Sequence, residues 1–339
     1  MKQEEQKAVK YGTILFHEVY KKNITEEMFA DKHFKNPTRL DIPYIIESKN
    51  DKPVAMRWMM RENMLYKDVS FSAVQSSDDA VLPEARGLLF LKMRKKALDV
   101  MKEEHIDFEY GCFSKGDAME IAEKFGEVNV VNLYLARFFL HEKSHHWKRF
   151  NIPYPTFLSN ILLRYRKKRL MNLSSNRIDV QITNTVPFTE DDYRLFNGDG
   201  YLHIERNEKY YCWKTQAKGD ISFIVARENN ELQGFLIVKN EGKYASIIDW
   251  NVFSDQCTSV LATMLLPICE QYQYIDIPSL NISNGEMRLF TDIGCKDMSE
   301  LWAPICICVK PLNDEAGKIV LKAENWKHRL IDADYFLNG

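Results

Sequence analysis

Apolar positions recur along the chain with two periods, and the switches between them mark out elements. Over 11–36 the spacing is three and four. Ile14, Leu15, Val19 and Tyr20 share one helical face, and Thr25 is placed to cap a second helix carrying Met28 and Phe29. Asn36-Pro37 ends that stretch. A strand follows in Ile42-Pro43-Tyr44-Ile45-Ile46-Glu47. The polar turn Lys49-Asn50-Asp51-Lys52 and a returning strand over 53–60 complete a hairpin signature. A third strand is expected over 69–82, interrupted by Ser76-Ser77-Asp78-Asp79. Helical spacing resumes over 86–104, with Phe90, Met93, Ala97, Leu98 and Met101 on one face. A short strand at 106–110, a short helix at 117–125 stopped by Gly126, and a strand-like run at 128–139 follow.

The same succession then returns. Residues 221–235 lie over 42–56 without a gap, with a polar turn in both and Gly234 opposite Ala55. A third strand at 244–253 and a long helix at 254–272, buried through Val260, Leu261, Met264, Leu265 and Ile268, repeat the first copy. A strand at 274–277, a helix at 285–293 and a closing strand at 303–309 complete the second. The pattern predicts an α/β chain with mixed (α+β) sheets, built from two copies of one unit of about 130 residues. The expected ranges are 1–140, a connector at 141–177, 178–312 and a tail at 313–339 with a docked helix and Trp326. The connector holds three histidines, Pro153, Pro155 and a basic helix with Arg164, Arg166, Lys167, Lys168 and Arg169. Such a run is a solvated face or a surface for an anionic partner.

Composition narrows the choice of chemistry. The 339 residues carry a net charge of -2, which gives no global case for nucleic acid. The seven cysteines form no C-x-x-C pair, so reduced thiols and a cytoplasmic location are expected. The start, MKQEEQKAVK, has no apolar signal region, and no apolar run approaches the ~20 residues of a membrane span. His141-Glu142-Lys143-Ser144-His145 matches H-E-x-x-H, a zinc pattern when it lies on a helix. No third ligand is evident after it, and no metal is expected.

One stretch joins the third strand to the long helix of the first copy: Val81-Leu82-Pro83-Glu84-Ala85-Arg86-Gly87-Leu88-Leu89-Phe90-Leu91. Such a junction leaves backbone N–H groups at a helix N-terminus, where an anion can bind. The stretch resembles the acyl-CoA loop of the GNAT acyltransferase superfamily. Arg86 and Gly87 match the family's Pro-x-x-Arg-Gly opening, and Leu89 and Leu91 stand where the family has two glycines. Phe29-Ala30-Asp31-Lys32-His33-Phe34-Lys35-Asn36-Pro37 resembles the aromatic–Lys–Asn–Pro box before the first hairpin of many bacterial members. Tyr210-Tyr211-Cys212-Trp213-Lys214 resembles the box before the second copy of tandem members. Gly111-Cys112-Phe113-Ser114-Lys115-Gly116-Asp117 resembles the family's G-F-P-N turn, without the Pro and Asn.

The resemblance implies two GNAT-like acyl-CoA N-acyltransferase domains in tandem, and an acetyl-CoA-dependent N-acetyltransferase acting by direct attack of an amine, either a small molecule or a peptide. The CoA would be held by Val81, Leu82, Arg86, Gly87, Leu88, Leu89, Phe90 and Leu91. The second copy has Val252-Phe253-Ser254-Asp255-Gln256-Cys257-Thr258 there, without glycine and with an acid, so no cofactor is expected in it. It would complete a substrate cleft or support the first domain. Asp78 or Asp79 would be the base, with Glu62 earlier in the same sheet. Tyr110 would replace the family's tyrosine as proton donor, and Asp249 corresponds to Asp78/Asp79 in a structural role. Two alternatives compete: a Fem-type transferase using aminoacyl-tRNA, with 164–169 as its electrostatic footprint, and a degenerate module that only binds a partner.

Overall fold

A computed structural model describes residues 2–114, 117–132, 134–140, 156–215, 220–279, 284–299 and 305–333. Helix α1 (Gln3–Tyr20) starts eight residues before the expected stretch, at a capping box between Lys2 and Glu5. It stops where Lys21 turns left-handed. Thr25 caps α2 (Glu26–Phe34) by accepting the Met28 N–H. Strands β1 (Tyr44–Lys49), β2 (Lys52–Tyr66) and β3 (Val69–Val81) form a meander. Helix α3 (Leu88–Glu103), strand β4 (Phe108–Ser114), helix α4 (Asp117–Lys124) and strand β5 (Val128–Asn132) follow. Beyond them lie β6 (Tyr134–Phe139), α5 (Thr156–Leu173), β7 (Asp179–Thr183), α6 (Glu190–Asn197), β8 (His203–Ile204) and α7 (Glu208–Thr215). The second meander is β9 (Ile221–Glu228), β10 (Glu231–Asn240) and β11 (Ala245–Val252), continued by α8 (Cys257–Leu265), β12 (Tyr274–Ser279), α9 (Asn284–Ile293), β13 (Lys296–Asp297), β14 (Ile305–Pro311) and α10 (Asp314–Val320).

The two leading hairpins share one turn chemistry. Asn50 and Asp51 have φ of 51° and 58°, and Asn229 and Asn230 have 51° and 69°. Two successive left-handed residues make the turn type whose twist suits a tight hairpin, and Asn and Asp tolerate that conformation best after Gly.

The sheets depart from the sequence expectation at their far ends. The first runs β1-β2-β3-β4-β14-β5, with β8 beside β2, and the second runs β13-β6-β12-β11-β10-β9-β7. The run 128–139 is therefore two strands in different sheets. β5 stays with the first sheet, while β6 pairs antiparallel with β12, Phe139 opposite Tyr274 and Tyr134 opposite Ser279. In return β14 lies between β4 and β5, Pro311 opposite Phe108 and Ser114 opposite Ile305. The closing strand expected at 303–309 for the second copy thus completes the first. Each half gives one strand to the other, so the expected limits near 140 and 312 do not separate the two sheets.

Both faces of the first sheet are covered, which is why β2 is buried almost without alternation. One face packs Met56, Trp58 and Ala80 against Val9, Phe16 and Phe29 of α1 and α2. The opposite face packs Ala55, Met59 and Val74 against Met93, Ala97 and Met101 of α3. Farther along, Met60, Met64, Phe108 and Tyr110 join Tyr211, Trp213, Phe223, Phe235 and Trp326 in a core that spans both halves. Helix α5 is more than a connector. Leu163, Leu170 and Leu173 pack into the core of the second sheet, and Arg166 and Arg169 donate to the carbonyls of Gly294 and Asp292. Lys167 pairs with Glu270. Among the described residues no helix is long and apolar enough to cross a membrane.

Candidate functional site

Strands β3 and β4 run parallel and pair only over Ala73–Gln75 and Phe108–Tyr110. Both continue, to Val81 and Ser114. From Gln75 and Tyr110 onward their facing edges are not paired with each other. Polar Ser76–Asp79 does not interrupt β3. The ladder with β2 shifts there, and Asp78 bulges into the left-handed region at φ 49°.

The sequence junction lies at the end of β3. Pro83–Ala85 forms a single turn, and α3 starts at Leu88, two residues later than expected, with Gly87 as its N-cap. Gly87 has φ 97° and ψ -120°, a region open essentially to glycine. The amides of Phe90 and Leu91 return to the Gly87 carbonyl. Those of Gly87, Leu88 and Leu89 have no partner among the described residues. They are the unsatisfied donors of a helix N-terminus, at its positive dipole end. Arg86 is exposed beside them, without an ion pair among the described residues. Leu89 packs into the α3 core, and Phe90 meets Phe125, 5.6 Å between ring centres. Leu88 and Leu91 are 83% and 46% exposed. Val81 packs with the α3 core, and Leu82 with the α1–α2 core. Three unpaired amides at a helix N-terminus are donors of the kind that fit a phosphate group; of the two leucines at the glycine positions of the resemblance, Leu89 turns inward and Leu91 stays partly exposed.

Below this junction, on the α3 face, Arg57 and Arg94 serve three carboxylates. Arg57 binds Glu109, Asp79 (2.7 Å) and the Ser76 hydroxyl (2.5 Å), while Arg94 binds Glu109 and Glu127. Glu109 sits between both guanidiniums. Burial pushes its carboxyl up, but Arg57 and Arg94 prevail and hold it below the ordinary range. Glu127 and Asp79 lie outward of it. Burial, reinforced by the charge of Glu109, raises them to about 7 and about 6. The Asp79 side chain remains 26% exposed.

Asp78 has a different fate. Its carboxylate accepts Lys32 Nζ at 2.7 Å and meets His33 Nε2 at 2.8 Å, all three buried. Burial opposes its charge, yet Lys32 and His33 hold its proton affinity far below the usual carboxylate range. The structure thus places Asp78, expected as a base, in a buried ion pair with Lys32 and His33. Tyr110 is also fully buried. Its hydroxyl donates to Glu62, and burial together with that carboxylate raises it well above the ordinary phenol. Asp78, Asp79 and Tyr110 therefore belong to three separate hydrogen-bond clusters.

The face carrying Tyr110 meets the chain's C-terminal segment. Trp326 packs on Phe108 and Tyr110, Cys112 lies beside His328, and Gln75 donates to the Asp332 carbonyl. Arg206 binds the Asp332 carboxylate through both terminal nitrogens, and Tyr210 donates to it at 2.6 Å. Glu62, with Lys214 at 3.9 Å, is raised to about 7 by burial.

The same segment occupies the equivalent parting in the second sheet. β11 and β12 pair only over Ala245–Ser246 and Ile275–Asp276. Beyond that, Arg329 bridges to Ser279, stacks on Trp250 at 4.2 Å and binds Glu286 at 2.7 Å. Asp249, expected to be structural, accepts the Tyr211 hydroxyl at 3.0 Å within this cluster. In front of α8, Asp191, Asp192, Glu231 and Asp255 line a cleft with Arg227.

No protein-family model matches the sequence, and no curated protein matches it. Solved structures do match. A conserved protein of unknown function from Enterococcus faecalis V583, described as a probable N-acyltransferase, superposes with a TM-score of 0.64 at 10% identity over 91% of this chain and 71% of its own. A GCN5-related N-acetyltransferase from Anabaena variabilis gives 0.65 at 9% identity over 92% and 71%. Another from Kribbella flavida gives 0.65 at 10% identity over 94% and 71%. The fold is that of the GCN5-related N-acetyltransferases. Within that GCN5-related fold, residues 81–91 join the third strand to the long helix of the first sheet.

Glu109, Arg94, Arg206, His328 and Asp332 were not expected from the sequence. Glu109 leaves one signal, an acid between Phe108 and Tyr110 of a largely apolar strand. The others have no local signal, because their partners are distant in sequence. The H-E-x-x-H segment at His141–His145 and the end of the tail, 334–339, lie outside the described residues.

Proposed function

We propose that the chain is an acyltransferase that takes an acyl group from CoA, most simply acetyl-CoA, and passes it to an amine. The observation that carries this is the juxtaposition at the first sheet. The uncovered N-terminus of α3, set by Gly87, stands directly after the stretch where β3 parts from β4. The amides of 87–89 and Arg86 would hold the phosphates, and bound acetyl-CoA supplies an activated thioester carbonyl. Asp79, partly exposed and raised to about 6, is the base we assign for the amine proton. Tyr110 and Glu62 hold a proton at the vertex of the parting. The second sheet is assigned no CoA, since Arg329 fills its parting and the cleft in front of its helix is lined by acids, Asp255 among them. Its role in this reading is to hold, through Arg329, the C-terminal segment that closes the site.

A tRNA partner is disfavoured, because Arg166, Lys167 and Arg169 are already engaged within the protein. None of the seven cysteines is in a disulfide, which fits the cytoplasmic location we assign. The test is calorimetric titration with acetyl-CoA of the wild type and of Gly87→Ala. A Cβ at Gly87 meets no atom within 4 Å, so the substitution acts through backbone strain alone. Binding to the wild type, weakened about tenfold in the variant, supports the reading. No binding, or equal binding, refutes it.

A further inference from the structure

Four side chains converge on the face of the first sheet turned toward the second half, and the proposed function uses none of them. Cys112 is two residues beyond Tyr110, on the stretch of β4 that no longer pairs with β3. Its Sγ lies 3.8 Å from His328 Nε2. On the other side of the ring, His328 Nδ1 lies 3.9 Å from Asp332 Oδ2. Gln75 Nε2, at the last paired position of β3, lies 3.9 Å from the same sulfur. The sulfur is half-buried, unlike Cys269, Cys306 and Cys308, which are fully enclosed.

The imidazole is built into this position. His328 is fully buried and meets Tyr110 edge-on at 5.8 Å between ring centres. Its Nδ1 has no hydrogen-bond partner among the described residues. Asp332 is anchored independently of it, by Arg206, by the Tyr210 hydroxyl and by the Arg329 amide at 2.8 Å. Burial lowers His328 to about 4 against the pull of Asp332, so at neutral pH the ring is uncharged. In the tautomer that carries its proton on Nδ1, the lone pair on Nε2 faces the thiol, and Asp332 Oδ2 lies 3.9 Å from Nδ1, a short closure away from a hydrogen bond. A thiol, a neutral imidazole and an orienting carboxylate in that order are the parts of an activated sulfur nucleophile.

We propose that Cys112 is an acyl-accepting nucleophile, with His328 as its base and Asp332 as the positioning residue for the ring, so that the acyl group rests on Cys112 before it reaches the amine. The inference rests on the acyltransferase reading for its donor, an acyl thioester. Cys112 gives its thiol proton to His328 Nε2, and Sγ bonds to the acyl carbon as the donor's carbon–sulfur bond breaks. The departing thiolate takes the proton from His328. The amine, relieved of its ammonium proton by Asp79, then attacks the acyl carbon, the bond to Cys112 Sγ breaks, and the second proton it loses returns to the sulfur through His328. Nothing is oxidised or reduced, and no other reactant is needed.

The experiment uses the full chain and two donors, acetyl-CoA and p-nitrophenyl acetate, an activated ester that needs no CoA site. Peptide mass spectrometry reads acetylation at Cys112 and at the other cysteines, with hydroxylamine release marking a thioester. Acetylation at Cys112 with both donors is expected, and His328→Ala should slow it about a hundredfold. Because a buried histidine variant can fail to fold, the wild-type peptide map and the Cys112→Ala variant decide the matter without it. Acetyl-CoA binding with no acetyl group on Cys112 from either donor, together with unimpaired turnover by Cys112→Ala, overturns the inference and leaves the acyltransferase reading standing. Acetylation by the ester alone, without CoA binding, upholds the nucleophile and removes CoA as the donor. Neither binding nor acetylation overturns both.

Discussion

Glu62 offers a sharp test of the electrostatics at the seam. It lies on β2, is buried, accepts the Tyr110 hydroxyl and has Lys214 at 3.9 Å. Burial raises its carboxyl from 4.5 to about 7, with Lys214 and the Tyr110 hydrogen bond acting the other way. The sign follows from linkage. The unfolded chain releases this proton near 4.5 and the folded chain only near 7, so in between the folded state binds more protons. Glu62 therefore favours folding fully at pH below the lower value, and that contribution is lost as pH rises to the upper one. The separation of the two values is equivalent to about 3 kcal/mol. Glu62→Gln keeps the size and an acceptor for Tyr110 but cannot ionise. In urea unfolding, the stability of Glu62→Gln relative to wild type should rise by about 2.5 kcal/mol between about pH 5 and about pH 8, mostly below neutrality. His33, His328, Asp78 and Asp332 titrate in both proteins and largely cancel in the difference. A flat difference, or one that falls with pH, refutes the assignment of a raised carboxyl at Glu62.

Two further substitutions probe other parts of the fold. Asp78→Asn leaves Lys32 buried without its carboxylate and should cost about 3–5 kcal/mol in urea unfolding; a loss below about 1 kcal/mol would show the pair to be solvated. Gly12→Ala places a Cβ 2.5 Å from Phe29 Cε1, where α1 crosses α2, and should cost about 1–3 kcal/mol, seen as a lowered Tm; an unchanged Tm would mean that Phe29 moves aside freely.

What could be read in the sequence follows physical range. The hairpins were legible because Asn50-Asp51 and Asn229-Asn230 carry their own turn chemistry, and the Thr25 cap because it acts over three residues. Gly87 was legible as a junction glycine, and its φ confirms the need for one there. The exchange of β6 and β14 was not legible. An apolar strand has the same local pattern whichever sheet it joins, and the choice is made by Phe139 meeting Tyr274 and by Ile307 meeting the core across the seam. In α5 the basic residues concealed a core helix, since two of its arginines end on carbonyls of the second half. Polar Ser76–Asp79 suggested a broken strand because a bulge and a break look alike without the partner strand. The pairing of His328 with Cys112 joins positions far apart in the chain, and no local pattern announces it.

In the proposed function a CoA thioester is held at the first of the two equivalent junctions and not at the second. Hydrogen–deuterium exchange with and without saturating acetyl-CoA tests it most directly. Slowed exchange is expected in peptides covering 82–91 and 108–114, with no change in those covering 252–260. Protection at 252–260, or no protection at 82–91 while acetyl-CoA is bound, would contradict it.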